Sequence, residues 1–132
     1  MRVAMILLTL ILIIPCMKGQ ELKLVVKNFQ NSKQIMEEYY VFAKDEKMKQ
    51  GEYIQYFRTT NEDFLKQKAD YICKKGYYFQ NKLDSIWTYF GSYSTDHKLI
   101  KEENYRKGKK IGIWKTYIES GSVIKQFDYN LI

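Results

Sequence analysis

Histidine, proline and cysteine are nearly missing from this chain, which has one His, one Pro and two Cys in 132 residues. Each scarcity excludes something. His97 sits beside Asp96 in the polar run SYSTDHK (92–98), and general-base chemistry would need a fixed partner and a pocket around it. That run reads as a solvated turn. Zinc takes about four nitrogen or sulfur ligands, more than one histidine and two distant cysteines supply. Cys73 has no mate once Cys16 is assigned to the N-terminal segment, so no intrachain disulfide is expected; it reads as a small residue inside a strand. No glycine-rich phosphate loop, serine-centred elbow or metal-ligand spacing occurs. Adjacent acids at Glu37-Glu38, Asp45-Glu46, Glu62-Asp63 and Glu102-Glu103 point to opposite faces if they lie on strands, so neighbours do not form a hydrolase pair. They read as solvated charge. The chain is therefore expected to be non-enzymatic, with no catalytic, cofactor-binding or metal residues.

Long hydrophobic runs are lacking too. The longest, Val3 to Ile14, falls short of the roughly 20 apolar residues a spanning helix needs. With Arg2 before it and Lys18-Gly19 after it, the segment has the three-part order of a secretory signal peptide. Cleavage is placed between Gly19 and Gln20. Export to the periplasm or beyond follows, with two alternatives: a lipoprotein anchored through Cys16, for which Pro15 is an unfavourable neighbour, or a retained N-terminal anchor. Loss of residues 1–19 removes Arg2, Lys18 and the only proline, lowering the formal net charge of +7 by two.

What remains is rich in aromatics, with 12 Tyr, 7 Phe and 2 Trp, all beyond residue 19. That composition favours strands, where rings cover a pleated surface. Three segments align: Gly51-Glu52-Tyr53-Ile54-Gln55-Tyr56, Ser85-Ile86-Trp87-Thr88-Tyr89-Phe90 and Gly112-Ile113-Trp114-Lys115-Thr116-Tyr117. Each reads small, any, aromatic, any, any, aromatic. Tyr78 and Tyr105 stand seven residues before the second and third small positions, and Lys125 to Asn130 (KQFDYN), with Tyr129, repeats the opening of a unit. Each unit predicts a β-hairpin turning at Asn81-Lys82 or Gly108-Lys109, where Asn or Gly tolerates positive φ. Tyr53, Trp87 and Trp114 are expected to stack as a ladder on one face, and Phe127 to Asn130 to form a final strand with an open edge. Residues 60–69 interrupt the period as an insertion. They read as a polar loop, with a short helix capped by Thr60 or Asn61 as the alternative.

The run Tyr105 to Tyr117, YRKGKKIGIWKTY, resembles the MORN-repeat variant of the YwqK-type antitoxin family, roughly Y-x-x-G-K-x-x-G-x-W-x-x-Y. Tyr78 to Phe90 matches with Asn81 and Ser85 in place of the glycines, and Glu37 to Phe57 matches in its second half. The resemblance spans about Glu37 to Asn130, and the signal-like start is similar to exported proteins of Bacteroidetes-type bacteria. It implies a β-hairpin scaffold used for protein interaction, and it carries over no catalytic residues.

The sequence thus predicts an all-β protein: a signal helix (1–19), a lead-in (20–36), and a repeat domain (37–132) forming an open antiparallel meander of about seven or eight strands. Gly51, Tyr53, Tyr56, Tyr78, Trp87, Phe90, Tyr105, Gly108, Gly112, Trp114, Tyr117 and Tyr129 are its scaffold residues. The expected function is protein–protein binding in the cell envelope. The alternatives are an antitoxin neutralising a toxin partner and a peripheral binder of anionic lipid through Lys107, Lys109 and Lys110. Nucleic acid is a weaker expectation, because acids are interleaved with the lysines throughout.

Overall fold

In the computed structural model, which describes residues 19–91 and 98–131, the chain is one open antiparallel sheet. Strands β1 (Leu22–Asn28), β2 (Ile35–Phe42), β3 (Asp45–Tyr56), β4 (Ile72–Phe79), β5 (Lys82–Phe90), β6 (Leu99–Arg106), β8 (Ile113–Tyr117) and β9 (Val123–Asp128) lie side by side in chain order. The two-residue β7 (Lys109–Lys110) pairs with β6, just ahead of β8. This is the expected meander, and counting β7 with β8 gives eight strands. The signal segment (1–18, with Cys16) and most of the SYSTDHK run (92–97, with His97) lie outside the described residues.

The hairpin turns explain the repeat. Gln80 and Asn81 have φ of +47° and +66°, and Lys107 and Gly108 have +48° and +83°. Two consecutive residues with positive φ make a turn whose twist matches the flanking strands. Each turn therefore sits one residue earlier than the sequence reading placed it. The second residue donates its N–H to a carbonyl of the preceding unit: Asn81 to Lys49 at 2.9 Å, Gly108 to Leu83 at 2.7 Å. The first donates to a side chain beside that carbonyl: Gln80 to Gln50 Oε1 at 2.8 Å, Lys107 to Asp84 Oδ1 at 2.9 Å. Each hairpin tip is thus fastened to the unit before it.

The indoles obey the same offset. Trp87 Nε1 donates to the Tyr77 carbonyl at 3.1 Å and Trp114 Nε1 to the Asn104 carbonyl at 3.0 Å, both partners shifted by 27 residues (77 to 104, 87 to 114). Tyr78 meets Trp87 at 5.2 Å between ring centroids, and Tyr105 meets Trp114 at 5.1 Å. The small positions all have positive φ, +57° at Ser85 and +60° at Gly112, with Gly51 further out at +105°.

Two expectations need correction. The lead-in is part of the sheet, because β1 pairs with β2 from Leu22↔Phe42 to Lys27↔Glu37. Lys and Asn among its apolar residues disguise a strand that is half-exposed on both faces. The insertion is helical: α1 (Phe64–Gln67) runs into a 3₁₀ turn (Lys68–Tyr71). Asn61 Oδ1 accepts from the Asp63 N–H at 2.9 Å, ordering the approach without capping the helix itself. Tertiary contact decides the matter, since Phe64 is buried edge-on against Tyr56 and touches Tyr71. An isolated helix this short would not form in water.

Pairing registers place Tyr39, Val41, Tyr53, Trp87, Tyr89, Glu103, Tyr105 and Trp114 on one face, the tryptophan face. The core is a thin layer on that face around Tyr39, Val41, Tyr53 and Trp87, joined by Val25, Tyr78, Leu83, Tyr89 and Tyr105. Gly76 makes room for it. A Cβ there would lie 2.2 Å from Trp87 Cδ2, so the indole rests flat on bare backbone.

Candidate functional site

A single-layered sheet has no second layer to hide its rings, and the tryptophan face is closed by charge instead. Glu103 is 6% exposed at its centre. Its Oε2 accepts from the hydroxyls of Tyr89 at 3.0 Å and Tyr105 at 2.8 Å, and its Oε1 from Lys101 Nζ at 2.7 Å. Burial pushes this carboxyl up, but the lysine and both hydroxyls outweigh burial and hold it below its ordinary value. Glu37 repeats the device: burial raises it, while the Tyr53 hydroxyl and Lys27, 3.3 Å away, bring it below the ordinary carboxylate value. The tyrosines move the opposite way. Burial and then the carboxylates raise Tyr53, Tyr89 and Tyr105 well above an ordinary phenol.

Lysines complete the layer. Lys49 Nζ lies over three rings, 4.7 Å from Tyr39, 5.0 Å from Tyr78 and 5.5 Å from Tyr53. Lys101 caps Tyr89 at 4.2 Å, Lys27 caps Tyr39 at 5.3 Å and Lys74 caps Tyr53 at 5.7 Å. An ammonium within about 6 Å of a ring centroid is attracted by the ring quadrupole. In the sequence Glu37 and Glu103 read only as members of solvated acid pairs, and neither is placed there with these lysines and tyrosines. The signal that could have found them is the period-two pattern carried across the hairpin registers.

The acid pairs read as solvated are therefore corrected at two places. Their members do point to opposite faces: Glu37 to Tyr53 and Glu38 to Tyr56, Glu103 to Tyr89 and Glu102 to Tyr117. They are bonded rather than free in water. Glu38 also takes Lys68 at 3.0 Å, which pins the insertion to the face opposite the tryptophans.

The scaffold residues divide accordingly. Tyr53 and Trp87 meet at 5.6 Å with their rings tilted by 33°, whereas the ring contacts of Trp114 run to Tyr105 and to Tyr129 at 4.9 Å. Tyr105, packed against the core, bridges the two groups. Tyr56 is buried under the insertion, and Phe90 ends β5 opposite Leu99. Tyr129 belongs to a 3₁₀ turn (Tyr129–Leu131) following β9, so the final strand stops at Asp128. A Cβ on Gly51 would stand 3.6 Å from Tyr40 Cβ, Gly108 forms its turn, and Gly112 opens β8.

The three tip lysines do not converge. Lys107 lies over Phe79 at 5.2 Å and Lys110 over Trp114 at 4.8 Å, while Lys109 is exposed in β7. Gly19 and Gln20 are exposed just ahead of β1. Beside the insertion an open groove of about 730 Å³ is lined by Asn31, Gln34, Arg58, Thr59, Asn61 and Phe64, among others. Its central amide is already engaged, since Gln34 donates to the Phe57 carbonyl and accepts from the Thr59 N–H. Among the described residues no group of three or more His, Cys, Asp or Glu could hold a metal, and no helix is long and apolar enough to cross a membrane.

Among the described residues, what is left open is backbone at the two ends of the sheet. At β9 the Tyr129 N–H bonds the Gly112 carbonyl at 2.9 Å. In the unbroken register to Thr116↔Lys125, alternation turns the N–H of Gln126 outward. Val123, Ile124 and Phe127 on this edge are 46%, 59% and 46% exposed. No protein-family model, curated protein or solved structure matches this chain.

Proposed function

We propose that the chain is a non-enzymatic β-repeat scaffold that binds a protein partner in the cell envelope, the partner adding a strand to β9. The observation that carries this reading is the open β9 edge, with outward amides and exposed apolar side chains together. Strand addition takes affinity from main-chain bonds and specificity from alternate side chains. The envelope address rests on the signal-like start and the cleavage placed at Gly19-Gln20. Kinship with MORN-type repeats rests on Tyr105 to Tyr117, and the shared hydrogen bonds of the two hairpin tips support it. The antitoxin reading is the same chemistry with a toxin as the partner.

The test is site-specific photocrosslinking in the envelope of the source cell, with a photoreactive residue replacing Ile124. A discrete protein adduct that disappears in Gln126→Pro, whose lost N–H faces only the open edge, supports the reading. No protein adduct, or one indifferent to Gln126→Pro, overturns it.

Anionic lipid is the second reading. One observation favours it: Lys27, Lys49, Lys74, Lys101 and Lys125 share the tryptophan face. Salt-sensitive flotation with anionic vesicles would support it, and no flotation at low salt would remove it.

A further inference from the structure

The other end of the sheet carries a more specific design. Among the described residues strand β1 is an outer strand with no neighbour beyond it, and Leu22, Leu24 and Val26 are 41%, 48% and 45% exposed. The Ala43 N–H donates to the Glu21 carbonyl at 2.9 Å, and the register is unbroken from Leu22↔Phe42 to Lys27↔Glu37. Alternation then commits the backbone groups of residues 21, 23, 25 and 27 to β2. Those of Leu22, Leu24 and Val26 point away from the sheet.

Edge strands usually carry something that blocks pairing, such as proline, a central bulge or an unpaired inward charge. Here there is no proline, and the irregularity falls at the end, between Lys27 and Asn28. The two lysines are already neutralised within the chain, Lys23 by Glu46 and Lys27 by Glu37.

We propose that β1 pairs antiparallel with β1 of a second copy of this chain, about a two-fold axis through Leu24. In that register Leu22 faces Val26, Lys23 faces Val25, and Glu21 faces Lys27 at both ends. The outward amides of Leu22, Leu24 and Val26 meet the matching carbonyls. Slipping by two in either direction sets lysine opposite lysine, Lys23 against Lys23 or Lys23 against Lys27. Like charges directly opposed destabilise a strand pair, and both neighbouring registers also lose the Glu21–Lys27 pairing, so the charge pattern disfavours them. The exposed Leu22, Leu24 and Val26 of the two copies then form one apolar strip across the axis. A two-fold contact closes on itself, whereas β1 against β9 of another copy would run on as a filament. This inference uses β1 alone and stands apart from the partner reading at β9.

The experiment takes the full chain, purified as its host processes it, to sedimentation equilibrium and to isotope-filtered NMR of a mixed labelled and unlabelled sample. The expected result is twice the monomer mass and an intermolecular Hα–Hα contact between Lys23 and Val25. Leu24→Pro removes an N–H that points only outward, and it should weaken dimerisation at least tenfold while the β-sheet circular dichroism persists. Glu21→Lys should weaken it too, and added salt should partly restore it. A monomer at concentrations up to about 0.1 mM overturns the proposal. So does a dimer indifferent to both substitutions, a contact in another register, or an open-ended series of masses.

Discussion

Ser85 occupies the position where the neighbouring units have glycine, and replacing it should stabilise the protein. Its φ is +57°, beside +60° at Gly112 and +105° at Gly51. A residue with a Cβ in the left-handed region is disfavoured by about 1–2 kcal/mol. Glycine would relieve this but adds about 0.4–1 kcal/mol of chain freedom to the unfolded state. Ser85 is exposed and its hydroxyl bonds only its half-buried neighbour Asp84, at 3.0 Å, so its loss weighs little. The balance for Ser85→Gly is a gain of about 0.5–1 kcal/mol, or roughly 2–8 °C in Tm for a domain of this size. Gly112→Ala is the matched reverse. A Cβ there would meet nothing nearer than Asn104 Cβ at 3.7 Å, so the substitution tests backbone strain without a clash and should cost about 1 kcal/mol. Urea denaturation of both variants measures the two numbers. A Ser85→Gly protein less stable than wild type, or a neutral Gly112→Ala, refutes the claim that the small position is kept for its backbone conformation.

Other perturbations separate packing from charge. Gly76→Ala puts a methyl group inside the Trp87 indole and should cost about 3 kcal/mol, read as a fall in Tm with a red shift of tryptophan fluorescence. Glu103→Ala leaves the Tyr89 and Tyr105 hydroxyls without their shared acceptor and should cost about 2–3 kcal/mol in urea denaturation. Thr88→Val removes a buried hydroxyl that has no hydrogen-bond partner and should raise stability by up to about 1 kcal/mol on the same assay.

The architecture was legible because one residue pattern recurs and each recurrence has a backbone cause. Asn81 and Gly108 mark turns, Ser85 and Gly112 mark a left-handed step, and Trp87 and Trp114 find carbonyls at the same offset. Other features were hidden for physical reasons. The turns moved by one residue because Gln80 and Lys107 accept positive φ, which neither side chain advertises. Strand β1 was passed over because its alternation of Leu, Lys and Val resembles a linker when its partner strand is unknown. The insertion was read as a loop because Phe64 acquires meaning only from Tyr56 and Tyr71, which the sheet brings to it. Glu103 looked solvated because its three donors come from β5 and β6, and only the register sets them together.

The charged layer also makes a claim about pH. Glu37 and Glu103 are held below the ordinary carboxylate value in the folded chain, so their stabilisation is complete above about pH 4.5 and is lost as pH falls through the lower folded values. Tyr53, Tyr89 and Tyr105 are raised, so folding favours their neutral form. That contribution is complete below about pH 10 and is lost as pH rises toward the folded values. Stability should therefore be flat between these limits and fall on both sides. Glu103→Gln should lower the plateau and shallow the acid limb, because the lost group is the one that titrates there. An acid limb unchanged in Glu103→Gln would mean that Glu103 carries no pH-linked stability. Because Lys49 and Lys101 lie over tyrosine rings and Lys101 also pairs with Glu103, much of the positive charge on this face is already engaged within the fold. A partner that needs only main-chain bonds at a sheet edge disturbs none of it; a polyanion laid across the face must compete with every ring and carboxylate the lysines already hold.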